Sequence, residues 1–344
     1  MSVEKLNAFL AQSYENFPKG RFIGLVVLRT TKSETIFRTE GSGEPMCSEF
    51  VQAGVQDQSS IQRLVMTKRK QVAPERRYGR EFLRSHELLY TSKDGSVCSL
   101  NTNSPCEMCV DCFLYGFAAG GGGAQKSRIW TEDAFSVLPA TDVLGDRTIN
   151  AIYENGTMRL KREEETKAST ALNTSEYIKP GVHFLDVVTL KDITADELRY
   201  VIGNILSTTR YGAVSSRVGR MENQILGVFA GRVELPSSLE LVQALYDTLP
   251  KPLEHPFNTD TLISATKEVI SHWQNRRGVS MQLSDEELAA LIADVDNHWS
   301  ENQRDAFLKR LSDSYEPFRV ASEDKKAGKG GKGKSKKNTV ETES

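Results

Sequence analysis

Four of the five cysteines fall within fifteen positions, as Cys98-x7-Cys106-x2-Cys109-x2-Cys112. The C-x2-C spacing lets a single turn present two thiolates to one zinc ion, each at about 2.3 Å, in a tetrahedral set. The odd count, the tight spacing and a start (MSVEKLNAFLAQ) without an apolar signal segment favour metal over disulfides. Structural zinc held by Cys98, Cys106, Cys109 and Cys112 is therefore expected. An iron–sulfur cluster and free buried thiols remain open, and His86 could stand in for Cys98 as the fourth ligand. Cys47 reads as a plain buried thiol.

The second group is cationic. From Thr67 to Arg84 the chain carries Lys68, Arg69, Lys70, Arg76, Arg77, Arg80 and Arg84 against only Glu75 and Glu81, whereas the whole chain has a net charge of −2. Such a cluster repels itself unless it faces solvent or a polyanion. Pro74 suits the first turn of a helix. From there Arg77, Arg80 and Arg84 fall at helical spacing, with Tyr78 and Phe82 on another face. The cluster reads either as a solvated basic helix face or, because guanidinium groups bind two phosphate oxygens at once, as a grip on a phosphodiester backbone.

Other motifs are weaker. Gly120–Gly123 precede Ala124, Gln125, Lys126 and Ser127, which imitates a phosphate loop, but Gln125 occupies the place where glycine must precede Lys-Ser. A glycine loop that brings Lys126 and Arg128 towards a backbone phosphate is the alternative. Asp57, in a glycine-flanked loop, reads either as a turn former or as a carboxylate holding a divalent ion for backbone cleavage. The five histidines offer no nucleophilic triad.

The elements that must position these groups are alternating strands and helices. Arg21–Thr31 and His183–Leu190 read as core strands. Gly24 within the first would admit a close neighbour. Asp192–Ser207 reads as a helix with Thr194 and Glu197 as a capping box. Thr208–Asn223, with Arg210, Arg217 and Arg220, reads as a Gly/Ser loop, and Gln224–Val233 as a third strand. Helices are expected over Ser237–Leu249, Thr259–Asn275 and Ser284–Leu311. Residues 34–140 show weak apolar periodicity and read as a long insertion. Lys325–Ser344 holds seven lysines and two glutamates with almost nothing apolar, which predicts disorder. The longest apolar run, Phe22–Leu28, is too short to span a bilayer, so the expected location is cytoplasmic.

The order RFIGLVVLRT, GVQDQSSIQRLVMTKRKQVAPERRYGREFLR, the cysteine cluster, the glycine stretch and TTRYGAVSSRVGR resembles the backbone subunit of type I-D CRISPR interference (Cascade) complexes, the Csc-two branch of the Cas-seven superfamily. The resemblance covers residues 15–235. It implies an α+β fold: a modified RRM-like, ferredoxin-like core drawn as a palm (1–33 and 141–235), an inserted fingers and thumb region (34–140), a helical part (236–322) and a lysine-rich tail (323–344). It also implies a non-catalytic subunit that stacks head to tail with further copies of itself along a CRISPR RNA. The bases are left free to pair with target DNA, beside other effector subunits. The family's zinc-binding insertion matches Cys98–Cys112. Its basic helix matches Lys68, Arg69, Lys70, Arg76, Arg77, Arg80 and Arg84, and its Gly/Arg loop matches Arg210, Arg217 and Arg220. In related type III subunits an aspartate in a glycine-rich loop cuts target RNA. Asp57 falls at about that place, among different neighbours.

Overall fold

The computed structural model describes residues 2–37, 46–119, 123–150, 159–162, 165–168, 172–214 and 217–319. The lysine-rich tail lies outside them. The chain opens with α1 (Ser2–Leu6), then β1 (Phe22–Thr31), the hairpin β2 (Ser48–Gln52) and β3 (Ser60–Met66), α2 (Lys68–Ser85) and α3 (Val110–Tyr115). The ribbon β4 (Phe117–Ala119) and β5 (Gly123–Gln125) leads to β6 (Ile129–Thr131), β7 (Ala134–Pro139), α4 (Ala140–Val143) and β8 (Leu144–Asn150). Next come β9 (Arg159–Arg162), β10 (Glu165–Ala168), β11 (Leu172–Ile178), β12 (His183–Lys191), α5 (Ala195–Ser207), β13 (Arg210–Val214) and β14 (Arg217–Gly231). The last elements are α6 (Ser238–Thr248), α7 (Thr259–Ser271), β15 (Val279–Gln282), α8 (Asp285–Trp299) and α9 (Arg304–Asp313).

The main sheet runs β13-β14-β1-β12-β7-β3-β2, with β15 added to β14 and β6 to β12. Its centre is antiparallel, β14-β1-β12-β7. The two halves β1–α2–β7 and β12–α5–β14 each bracket a strand of the other, which is the ferredoxin-like split βαβ. The α+β class and the ferredoxin-like core are thus as expected, but the division of the chain is not. Residues 34–140 supply α2 and β7, the core's own first helix and second strand, as well as the edge strands β3 and β2. The reason lies in how α2 packs. Its buried positions are Gln71, Pro74, Glu75, Gly79, Arg80 and Leu83, which leaves no apolar stripe for periodicity to reveal.

Near-continuous hydrophobicity in β1 has a simple origin. Ile23, Leu25 and Val27 point into one core, with Leu198, Val201 and Ile205 of α5. Val26 and Leu28 point into another, under Leu241, Val242 and Leu245 of α6 and Ile270 of α7. Both sheet faces are therefore covered, so this core does not present the open aromatic face on which an RRM stacks bases. Gly24 admits the Leu235 side chain, which a Cβ there would strike.

Capping boxes hold three helices: Thr194 with Glu197, Ser237 with Glu240, and Ser284 with Glu287. Three other expectations change. The segment 208–223 is mostly the hairpin β13–β14, not a loop. The expected helix Ser284–Leu311 breaks at Ser300 into α8 and α9. The helix carrying the basic cluster begins six residues before Pro74, at Lys68. Its first turn is capped from outside: Lys68 N–H donates to Asp133 Oδ1 at 2.8 Å, and Gln71 Nε2 donates to the Met66 and Glu132 carbonyls at 2.7 and 3.0 Å. These contacts offset the backbone hydrogen bond that Pro74 cannot make.

Candidate nucleic-acid interface and metal centre

Helix α2 carries its charges in three directions. Glu75 points into the core, where it accepts from Arg29 Nη1 at 2.7 Å and from the Tyr211 hydroxyl at 3.1 Å. Arg29 turns its other nitrogens on Asp186 Oδ2, at 3.0 and 2.9 Å. Burial pushes the Asp186 carboxyl up to about 6, against the pull of Arg29. This network joins α2 to β1, β12 and β13. Composition and motif spacing single out neither Arg29 nor Asp186, though each interrupts an otherwise apolar strand, and a lone charge there signals a buried partner.

Arg76 and Arg80 point sideways, towards the cysteine segment. Arg76 grips Asp111 with Nε and Nη2 at 3.0 and 2.7 Å, and Arg80 Nη1 reaches the same carboxylate at 2.7 Å. Arg80 Nη2 also donates to the Cys98 carbonyl at 2.5 Å. Arg80 is 2% exposed. The expected outward arginine stripe is therefore corrected: Arg80 is enclosed and Arg76 is half-buried, because Asp111 lies within reach of both. Asp111 sits inside the Cys109-x2-Cys112 knuckle, and an acid placed between metal ligands was the overlooked signal.

The remaining cations face solvent. Lys68, Arg69, Arg77 and Arg84 are exposed and Lys70 is half-buried. Arg69, Lys70, Arg76 and Arg77 line one wall of a cleft of about 560 Å³, and the loop Ser99–Thr102 and β4 form the opposite wall. Gly212 of β13 closes one side. Its φ of +64° and the Ile36 carbonyl, where a Cβ would fall, both require glycine. Arg210 and Arg220 stand opposite one another on the β13–β14 hairpin, both exposed. Arg217 opens β14 in register with Val214. Lys68 and Arg84, near the two ends of α2, do not line the cleft.

Lys126 is exposed and lies at a different hollow, beside Trp130. Arg128 does not reach outwards as the glycine-loop reading supposed: it is buried and ion-paired with Glu197. Gly120–Gly122 lie outside the described residues. Asp57 is an exposed loop former. Hydrogen bonds from the Ser59 side chain and from Ser59 N–H, the latter at 3.0 Å, hold its pKa below the usual range. Asp247 accepts from the Gln56 and Asp57 amides. Among the described residues Asp57 belongs to no metal-sized cluster of three or more His, Cys or acidic groups.

The four cysteines do converge. Cys98, Cys106, Cys109 and Cys112 are 1%, 5%, 0% and 2% exposed, with their sulfurs within 4.8 Å of one another. Sulfurs placed about 2.3 Å from a central ion in a tetrahedron lie about 3.8 Å apart. Here Cys98–Cys112, Cys106–Cys112 and Cys98–Cys109 are 3.8, 3.9 and 4.0 Å. Disulfide sulfurs would be about 2.05 Å apart, and an iron–sulfur core would push the thiolates further out. The geometry fits one tetrahedral ion. Backbone amides of Cys106, Met108 and Cys109 donate to the sulfurs at 3.3–3.4 Å, as thiolates require. His86 is not the fourth ligand; its Nε2 meets Asp305 at 3.0 Å. Cys47 stands apart and half-buried.

No curated protein matches the chain in sequence. In structure it is similar to Csc2 of Thermofilum pendens, with a TM-score of 0.57 at 19% identity over 91% of this chain and 95% of the other. It aligns less closely with a chain of a CRISPR RNA-guided surveillance complex in a pre-nicking state (TM-score 0.47, 10% identity, 74% and 87% coverage). A chain of another CRISPR RNA-guided surveillance complex gives 0.45 at 10% identity, covering 80% and 99%. The family model described as Csc2 Crispr matches residues 9–308, so the chain belongs to the Csc2 family of CRISPR proteins.

Proposed function

We propose that the chain is a non-catalytic backbone subunit of a CRISPR effector of type I-D. In this reading it holds the guide RNA in the cleft between α2 and the cysteine module. The observation that carries it is the cleft itself, where Arg69, Lys70 and Arg77 reach an open wall and Arg76 stands behind them, braced by Asp111. Arg210 and Arg220 on the adjoining hairpin extend the positive track. Contacts to phosphate hold the strand and leave base edges free, so the sequence is read by pairing with target DNA and not by the protein. Further copies stack head to tail along the RNA, since a heterologous contact that does not close makes a filament, and other effector subunits cap it. Cys98, Cys106, Cys109 and Cys112 hold a zinc ion, whose role is to fix the wall that carries Asp111 and the 99–102 loop. Copurification provides the test. The protein is expected to carry RNA of uniform length, and Arg69→Glu with Arg77→Glu is expected to release it while the fold is kept. Nuclease-insensitive absorbance with no RNA in any preparation would overturn the reading.

A further inference from the structure

The β4–β5 ribbon separates two hollows. Phe117 and Ala118 of β4 line the α2 cleft, and Ala124 and Gln125 of β5 line a second hollow of about 360 Å³. The second hollow is built on aromatic rings. Trp130 is half-buried and held by its Nε1–H, which donates to the Ser127 carbonyl at 2.8 Å; Phe22 meets it edge-on at 6.1 Å. Phe17 is 85% exposed and lies between Asn16 and Pro18, both of which line the hollow.

Two lysines complete it. Lys126 and Lys191 hold their ammonium groups 5.2 and 4.7 Å from the Trp130 ring centroid, and Lys191 lies 5.3 Å from that of Phe22. The acids nearby are already matched: Glu15 with Lys19, and Asp192 with Arg21 and the Lys19 and Gly20 amides. Arg128 is matched with Glu197. No carboxylate meets Lys126 or Lys191 among the described residues, so the hollow is left positive. An ammonium group rests over an indole when no anion is present. A phosphate offers it a charged acceptor, and the base attached to that phosphate then finds the aromatic face.

We propose that this shelf binds a second single strand of nucleic acid. A base stacks on Trp130, and backbone phosphates sit on Lys126 and Lys191. Every base has a flat face, so the site is sequence-tolerant. The proposal stands apart from the guide cleft and removes Lys126 from it. The test titrates the full chain, with whatever RNA it retains, with a short labelled oligothymidylate. Lys126→Glu with Lys191→Glu, and separately Trp130→Ala, are expected to weaken this binding about tenfold or more. Trp130→Phe keeps it and guards against a fold defect in the alanine variant. Quenching of tryptophan fluorescence by the oligonucleotide disappears in Trp130→Ala, and the retained RNA does not change. Unaltered oligonucleotide binding in the lysine variant overturns the proposal. So does parallel loss of the retained RNA, which would mean a single groove, or equal competition by polyglutamate, which would mean an acidic peptide. If Arg77→Glu leaves retained RNA in place while the shelf variants still lose the oligonucleotide, the cleft reading fails and the shelf stands.

Discussion

Arg76 and Arg77 are neighbours on one helix with opposite fates. Arg76 turns to a buried carboxylate, Asp111, and Arg77 turns to solvent. The same contrast divides Arg80 from Arg69. Arg76 and Arg80 line the cleft while tying α2 to the cysteine module; Arg69 and Arg77 reach its open side. A cluster that reads as seven equivalent cations is two devices, one internal and one facing outwards, and they should respond differently to perturbation.

The largest difference should come from the metal. Chelation, or Cys109→Ser, removes the frame that holds Asp111 and Cys98 against Arg80. Because metal affinity in such a site is folding free energy, stability should fall by on the order of several kcal/mol. Urea melts with and without chelator would show it, and superimposed melts would mean the cysteines are not a structural metal site. Next is Asp111→Ala. It leaves Arg80 buried and Arg76 half-buried without their counter-ion, a situation that costs about 3–5 kcal/mol. Metal content should stay at one ion per chain, since Asp111 is not a ligand. A loss below 1 kcal/mol in the urea melt would mean that water already satisfies those guanidinium groups.

The outward set should show the reverse pattern. Arg69→Ala with Arg77→Ala should leave stability within about 0.5 kcal/mol. The slope of log affinity against log salt should fall by about 1.4, since each phosphate contact on a single strand contributes about 0.7. An unchanged slope would place both side chains off the strand.

How much of this could be read beforehand follows from the same division. The cysteines announced themselves because metal chemistry fixes spacing in sequence. β1, β12 and α5 announced themselves because their burial is apolar, so pattern and packing agree. Helix α2 hid its place in the core. It packs through Glu75, Gly79 and Arg80, and Gly79 is there because a Cβ would press on Tyr200 and Asn204 of α5. Polar packing of this kind is specified by partners far along the chain: Arg29, Asp186 and Tyr211 for Glu75, and Asp111 for Arg80. No local window contains both ends of such a pair. The same blindness turned Arg128 into a candidate phosphate ligand, since its partner Glu197 lies sixty-nine residues away.

Arg84 provides the finest test of whether exposure or position decides. It is as outward-facing as Arg77 and equally charged, but it sits seven residues on, about 10 Å along the helix axis, beyond the cleft lining. If the cleft geometry selects which cations touch phosphate, Arg84→Ala should shift RNA affinity by less than about twofold. Only the long-range field would be lost, and that is screened beyond about 10 Å at ordinary ionic strength. Arg77→Ala, measured in the same buffer, should exceed it clearly and should carry the larger change in salt slope. Equal effects from the two would mean that the strand follows the whole length of α2, and that the contrast between neighbouring arginines lies in their role in folding and not in their role in binding.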